Sequence, residues 1–196
     1  KIIKINTLEK LADDKVSLDL ILIIFPELKN IKVFSKLNSK NKTLLKEKDF
    51  IFLLSLIIVD DSDNVDYFLY KFNISKKDQK RIKNIDNFYK EKITSNTFTE
   101  KNMNKIFYYK GKEALIDILN FRVLKIKKRD QNLIELINKY KNKTVPIMPV
   151  KADILMSKFN IPEGKVLGDK LKIIEDEWVK NNFQISDKQV ENIIKN

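Results

Sequence analysis

The sequence contains neither cysteine nor histidine. Without cysteine the chain has no disulfide, no thiolate metal site and no cysteine nucleophile. Without histidine it lacks the commonest general base and metal ligand, which excludes histidine-based hydrolysis. Glycine and proline are also rare, with 3 and 4 residues among 196, and the sequence shows no glycine-rich phosphate loop and no repeat. These absences exclude enzymes that depend on a cysteine nucleophile, on a histidine base or on a glycine-rich phosphate loop.

Long hydrophobic runs are missing as well. The longest, at residues 20–25 and 50–59, are shorter than the roughly 20 residues that a membrane-spanning helix needs. No secretory signal is visible in the sequence, and we therefore predict a cytoplasmic protein without a membrane partner.

Positive charge is present in excess. Lysine and arginine number 39 against 27 aspartates and glutamates, which gives a formal net charge of +12. This excess favours a polyanionic partner or an acidic membrane surface. Hydrophobic residues make up 43% and charged residues 34%, as in a folded soluble protein. Lysine, asparagine and isoleucine are all abundant, so a compositional bias of the source is the alternative explanation of the charge.

Apolar residues recur at helical spacing along the chain, and no alternating strand pattern is found. We predict an all-α protein with a multi-helical body over residues 1–143 and a small helical tail domain over residues 149–196. Pro146 and Pro149 bound the linker between them. Within the body, the pattern predicts a largely buried helix at 18–25 and a loop or irregular helix at 29–42. It also predicts a core helix that Thr43 caps and that runs to Val59.

Three serine or threonine residues stand three positions before an acid or a glutamine, a spacing typical of the capping box at a helix N-terminus. Each pair predicts the start of a helix; the pairs are Ser75 with Asp78, Thr97 with Glu100, and Ser186 with Gln189.

The most informative stretch runs from Pro149 to Ser186. Its apolar residues indicate a short helix, a tight turn and a second helix, with Trp178 in the core. Two of the three glycines lie here. Gly164 is expected to provide the turn, and Gly168 to open the second helix, where backbone N–H groups attract phosphate.

This stretch resembles the C-terminal end of bacterial tRNA nucleotidyltransferases, the CCA-adding enzymes, and of their poly(A) polymerase relatives. The family has the pattern Asn-Ile-x-Pro-Gly-x-x-[Ile/Leu]-Gly-x-x-Leu after a Pro-Ile-x-Gly-x-Asp segment. The positions that match without a gap are Pro149, Val150, Leu155, Met156, Asn160, Ile161, Gly164, Leu167, Gly168 and Leu171. Ala152 and Ile154 stand where the family has Gly and Asp. Weaker matches lie at residues 24–28 and 111–117.

The resemblance implies that this chain binds tRNA while a catalytic head performs nucleotide transfer. In the family a Gly-Ser turn followed by Asp-x-Asp holds the metal ions, and Glu-Asp-x-x-Arg selects the nucleotide. Neither motif is found here, and Asp61-Ser62-Asp63, which lacks the Gly-Ser turn, is interpreted as an acidic loop and helix cap. We expect the C-terminal portion of a longer enzyme, or the product of a split or decayed gene. By itself it would be inactive and without a cofactor, since Mg²⁺, CTP and ATP would be used only by the head.

Ten residues are candidates for contact with tRNA or other RNA. They come from basic runs at 76–83 and 125–129, from the helix before the second run, and from the glycine-marked helix start: Lys77, Lys80, Arg81, Arg122, Lys125, Lys128, Arg129, Lys165, Gly168 and Lys170. The alternative is a solvated helix face, with cations near helix C-termini favoured by the dipole. Tyr108, Tyr109 and Tyr140 would stack on bases or belong to the core. The competing hypothesis is a stand-alone helical RNA-binding or scaffold protein without enzymatic activity.

Overall fold

A computed structural model of the chain describes residues 4–91, 93–94, 97–126 and 130–195. These residues form twelve α-helices and one 3₁₀ segment and no strand, which confirms the all-α prediction. The helices are α1 (Ile5–Asp13), α2 (Lys15–Ile24), α3 (Ser39–Lys46), α4 (Phe50–Ile58), α5 (Asn64–Lys71), α6 (Lys76–Lys90), α7 (Glu100–Lys110), α8 (Lys112–Lys125), α9 (Gln131–Lys141), α10 (Ala152–Phe159), α11 (Lys165–Lys180) and α12 (Asp187–Lys195), and the 3₁₀ segment is Pro26–Lys36.

The chain divides into two compact units. The first consists of Lys1–Ile93 with Asp117–Asp130, and the second of Thr94–Ile116 with Gln131–Asn196. Helix α8 therefore supplies its first residues to the second unit and the remainder to the first. The division into a body at residues 1–143 and a tail domain at residues 149–196 remains a prediction. No helix among the described residues has the length and apolarity that crossing a bilayer requires.

Helix α4 lies at the centre of the first unit, with every residue from Phe52 to Ile58 buried. It packs against the 3₁₀ segment and α6.

The prediction of one long helix capped by Thr43 is wrong, because two helices occupy this region. Asp49 caps α4 by accepting a hydrogen bond from the Phe52 N–H at 3.0 Å. Thr43 lies inside α3, whose N-terminus is capped by Asn38. The side-chain oxygens of Asn and Asp accept hydrogen bonds from the free N–H groups at a helix start, which is why these two residues cap the two helices.

Helix α2 is much less buried than the sequence predicts. Only Leu18 is buried, and the side chains of Val16, Leu20, Ile23 and Ile24 are between 58% and 78% exposed. Residues 20–24 of α2 are all apolar, and such an unbroken run carries no periodic signal of which face is covered. Tertiary packing alone therefore decided that one face of α2 stays open.

The second unit is built around α11, which packs against α7, α10 and α12. Trp178 is 2% exposed, which confirms its prediction as a core residue. Its ring centroid lies 5.3 Å from that of Tyr108 and 5.1 Å from that of Phe183. A further cluster joins α10 to the last two helices through Leu155, Ile174 and other buried apolar residues.

Two of the three predicted capping boxes are confirmed. The Ser75 hydroxyl accepts from the Asp78 N–H, and Ser186 and Gln189 exchange hydrogen bonds reciprocally. The third is wrong, because α7 begins at Glu100 after Thr99. The Thr97 hydroxyl instead accepts from the Thr94 N–H at 2.8 Å, a local turn bond that competes with a helix start.

Candidate nucleic-acid interface

Helix α11 begins at Lys165, directly after Gly164. Gly164 has a φ of 142°, a conformation that residues with a Cβ avoid, so its predicted role in the turn is confirmed. The Gly168 N–H donates to the Gly164 carbonyl at 3.1 Å. Helix α11 therefore opens at Lys165 and not at Gly168, whose N–H is already used inside the helix. The approach of a phosphate to the backbone at Gly168 remains a prediction.

Gly168 instead lies in a surface groove of about 470 Å³ between the start of α10 and one face of α11. A Cβ added to Gly168 would meet no atom within 4 Å. The glycine is thus not required by packing within the protein. Its effect is to leave a stretch of helix backbone uncovered on the side of the groove.

Two lysines line this groove. Lys151 immediately precedes α10, and Lys172 stands one turn after Gly168 on α11; both are exposed. Lys165 stands three residues before Gly168, so helical periodicity places it on the same side of α11. Ammonium groups beside an open backbone are suited to bind the phosphates of a nucleic acid.

The groove also contains one carboxylate, Glu175. It accepts a hydrogen bond from the Tyr108 hydroxyl at 2.7 Å. Burial, together with this bond, raises the pKa of Tyr108 to about 12, so the tyrosine remains a donor at neutral pH. Tyr109 donates in the same way to Asp176 at 2.8 Å. Both tyrosines of α7 therefore donate hydrogen bonds to carboxylates of α11.

Lys170 lies outside the groove. It is half-buried, and its Nζ donates to the Ile193 carbonyl at 2.9 Å, near the C-terminus of α12. The expectation of an exposed Lys170 is wrong, because a position two residues from Gly168 lies on the opposite side of the helix. No sequence signal marks Lys151, because its place beside Lys172 depends on how α10 packs on α11.

Among the basic residues of the first unit that were singled out from the sequence, the exposed ones include those at the start of α6. Lys76, Lys77 and Lys80 are all exposed, and within the described residues no ion pair involves them. Lys83 and Lys90, by contrast, bind Asp66 at 3.2 Å and Asp86 at 2.9 Å. The lysines in the N-terminal half of α6 are therefore exposed and outside the described ion pairs, whereas those in its C-terminal half bind acids.

Arg81 has a different environment from its neighbours on α6. Its side chain is only 14% exposed and bonds to both Asp117 and Asp49. Burial by itself would lower the pKa of Arg81, but the bonds to the two carboxylates outweigh it and raise the pKa. The guanidinium is therefore engaged inside the unit, and its predicted contact with RNA has no support from its position.

The remaining candidates lie on α8 and just after it. Arg122 is half-buried, and the Lys125 ammonium lies 5.3 Å from the centroid of the Phe121 ring. Burial lowers the pKa of Lys125, and Asp61 and Asp60 act in the opposite direction. Lys128 and Arg129 are outside the described residues. All ten assignments as RNA contacts remain predictions.

The acidic segment at 60–63 forms a hydrogen-bonded turn. The Asp60 carboxylate accepts from the backbone and the hydroxyl of Ser62, and Asp61 adopts a φ of 65°. No group of three or more acids in the described part of the chain is placed to hold a metal ion. This geometry agrees with the interpretation of an acidic loop.

Tyr140 belongs to the core of the second unit. It is fully buried, and its hydroxyl donates to the Asn104 Oδ1 at 2.6 Å. Base stacking is thus excluded for Tyr140 in this structure.

No match was found among curated proteins or among solved structures. A family model described as "tRNA nucleotidyltransferase domain 2 putative" matches residues 42–193. The matched range is well over half of the chain and contains both α6 and the groove around Gly168. It confirms the resemblance that the stretch from Pro149 to Ser186 carries. The chain belongs to this family of tRNA nucleotidyltransferase domains.

Proposed function

We propose that this chain binds tRNA for a tRNA nucleotidyltransferase that adds C, C and A to the tRNA 3′ end. The observation that carries the proposal is the family match, since its range includes two surfaces that present exposed lysines. One is the groove with Lys151, Gly168 and Lys172, and the other is the N-terminal half of α6.

Binding would take place through phosphates. The net charge of +12 attracts RNA without regard to sequence, and exposed lysines release counterions when they meet its phosphates. At Gly168 the uncovered backbone lets a phosphate approach α11 more closely than a larger side chain would allow. These contacts would hold the tRNA in place and leave its 3′ end to the chemistry.

The chemistry would belong to a catalytic head outside these residues. Nucleotide transfer needs paired carboxylates that hold Mg²⁺ beside a triphosphate. The sequence has no Gly-Ser turn followed by Asp-x-Asp, and we assign Mg²⁺, CTP and ATP to the head. The chain by itself should incorporate no labelled CTP or ATP into tRNA that lacks its 3′ end. Template-free incorporation by a clean preparation would contradict this division of roles.

The binding itself is tested by titrating tRNA at several salt concentrations. If about four to six phosphates are neutralised, the logarithm of the affinity should fall against the logarithm of salt with a slope of roughly −3 to −5. The double variant Lys151→Ala, Lys172→Ala should bind more weakly, and its slope should be shallower by about 2.

A charge-matched control is available on α12. Lys188→Ala with Lys195→Ala removes the same charge from exposed positions of the same unit, outside the groove. This variant should retain most of the affinity. An equal loss in both double variants would show that only net charge matters, and binding insensitive to salt would favour a scaffold protein instead.

A further inference from the structure

We propose that two copies of this chain associate by placing helix α2 of each copy in an aromatic groove of the other. Both features belong to the first unit. The "α2 ridge" consists of Val16, Leu20, Ile23 and Ile24. The "aromatic groove" is lined chiefly by Phe25, Leu28, Phe50, Leu54, Phe68 and Phe72. The ridge precedes residue 42, so it lies outside the family match.

The α2 ridge is a continuous apolar surface. Its four residues stand at positions i, i+4, i+7 and i+8 of α2, which places them on one side of the helix. All four are largely exposed to water. A group of apolar side chains exposed to water on one side of a helix is a common mark of an interaction site.

The aromatic groove offers an apolar lining to such a ridge. It is open, has a volume of about 540 Å³, and is formed by residues of α4, of α5 and of the end of α2. Phe50 on its wall is 49% exposed. An amphipathic helix binds to this kind of groove by inserting apolar side chains spaced as those of the ridge are.

The charges beside the ridge and the groove are of opposite sign. Residues 13–24 contain three aspartates and one lysine, whereas residues 71–78, along one side of the groove, contain three lysines and one aspartate. Lys71 is bonded to Glu27 at 3.0 Å, and Lys76 and Lys77 are exposed. Of the residues that line the groove itself only Asp78 is charged, so the positive charge lies on its rim, at Lys76 and Lys77. The acidic segment of the ridge is better matched to that rim than to a second copy of itself.

A second copy of this chain would supply both a ridge for this groove and a groove for this ridge. Phe25 ends α2 and also lines the groove, so the ridge and the groove are neighbours on one surface. A two-fold axis between two such surfaces would place each ridge in the opposite groove. The result is a closed, self-complementary interface with two equivalent contacts, the commonest form of association for soluble proteins.

The mass of the chain in solution, measured without RNA by analytical ultracentrifugation, tests the proposal. The mass should rise from 23.2 kDa in dilute solution toward twice that value as the concentration enters the micromolar range. Leu20→Glu and Phe50→Glu should each weaken the dimer about tenfold or more, because each places a charge in an apolar contact. Ile147→Glu, at an exposed apolar position of the second unit, is the control and should leave dimerisation unchanged.

Mixing the two variants distinguishes a dimer in which each ridge lies in the groove of the other copy from dimers of any other kind. Each variant alone has both of its contacts damaged. An equimolar mixture of Leu20→Glu and Phe50→Glu contains pairs with one intact ridge and one intact groove, so dimer should partly return. Matching thermal melts would show that both variants are folded. A parent chain that stays monomeric at all concentrations would overturn the proposal, as would a mixture that restores no dimer.

Discussion

Arg81 and Asp117, which are 36 residues apart, form a two-point ion pair. The Arg81 Nε donates to the Asp117 Oδ2 at 2.5 Å, and the Nη2 donates to the Oδ1 at 3.2 Å. The Asp117 side chain is only 4% exposed. The same guanidinium also bonds to Asp49, the residue that caps α4. One arginine therefore joins α6 to α8 and to the start of the central helix.

Arg81→Ala is expected to lower the free energy of unfolding by about 3–5 kcal/mol, because it leaves the buried Asp117 carboxylate without this partner. Arg81→Lys should recover only part of the loss, since an ammonium lacks the planar fork that binds both oxygens. Urea unfolding gives the measurement. The exposed neighbour Lys80→Ala is the control, with an expected effect below about 0.5 kcal/mol. Equal effects at both positions would contradict a structural role for Arg81.

Trp178→Ala should also be strongly destabilising. The indole is buried between Tyr108 and Phe183, so its removal leaves a large cavity and should cost about 3–5 kcal/mol. Tyr70→Ala, at a fully exposed aromatic of α5, should change stability by less than about 0.5 kcal/mol. Thermal melts of the two variants make the comparison. A small loss for Trp178→Ala would mean that the surrounding residues collapse into the space.

Gly164, directly before α11, and Gly168, inside it, should respond oppositely to alanine. At Gly164 the φ of 142° strains any residue with a Cβ, so Gly164→Ala should destabilise the chain. Gly168 is inside a helix with open space around it, and Gly168→Ala should stabilise the chain by about 0.5–1 kcal/mol. If tRNA phosphate approaches the backbone here, the same Gly168→Ala variant should bind tRNA more weakly. Undiminished binding by this more stable variant would place the contact elsewhere.

Asp86 should make stability depend on pH. Burial raises the pKa of Asp86 above its ordinary value of 3.8, although Lys90 acts in the opposite direction. The folded chain thus binds this proton more tightly than the unfolded chain does. The stability linked to Asp86 is fully present below pH about 3.8 and is lost as the pH rises through the folded-state pKa, by about 1.4 kcal/mol for each pKa unit.

Asp86→Asn removes this titration and nearly preserves the shape of the side chain. The free energy of unfolding of the variant, minus that of the parent, should therefore increase as the pH rises above about 3.8 and through the folded-state pKa of Asp86. Asp78→Asn serves as a control for a less buried carboxylate of the same helix. A difference that stays constant across this range would show that Asp86 has an ordinary pKa.

Several features of this protein could be predicted from local sequence because their causes are local. The apolar spacing indicated helices throughout, and Ser75 with Asp78 and Ser186 with Gln189 marked helix starts through bonds that span three residues. The motif from Pro149 to Ser186 pointed to the family that the match over residues 42–193 shows. Trp178 was predicted as core because it stands on an apolar helical stripe.

What the sequence left open depended on contacts between distant residues. A basic run does not reveal that Arg81 is bound to Asp117 while Lys77 and Lys80 remain exposed, since the acids lie on other helices. The unbroken apolar run at residues 20–24 of α2 did not indicate which face is covered. Lys151 reaches the groove, and Lys170 does not, because the packing of α10 and α12 against α11 decides which side of that helix is open. Sequence thus determined the helices and the family, and tertiary packing decided which of their charged and apolar faces remain available for binding.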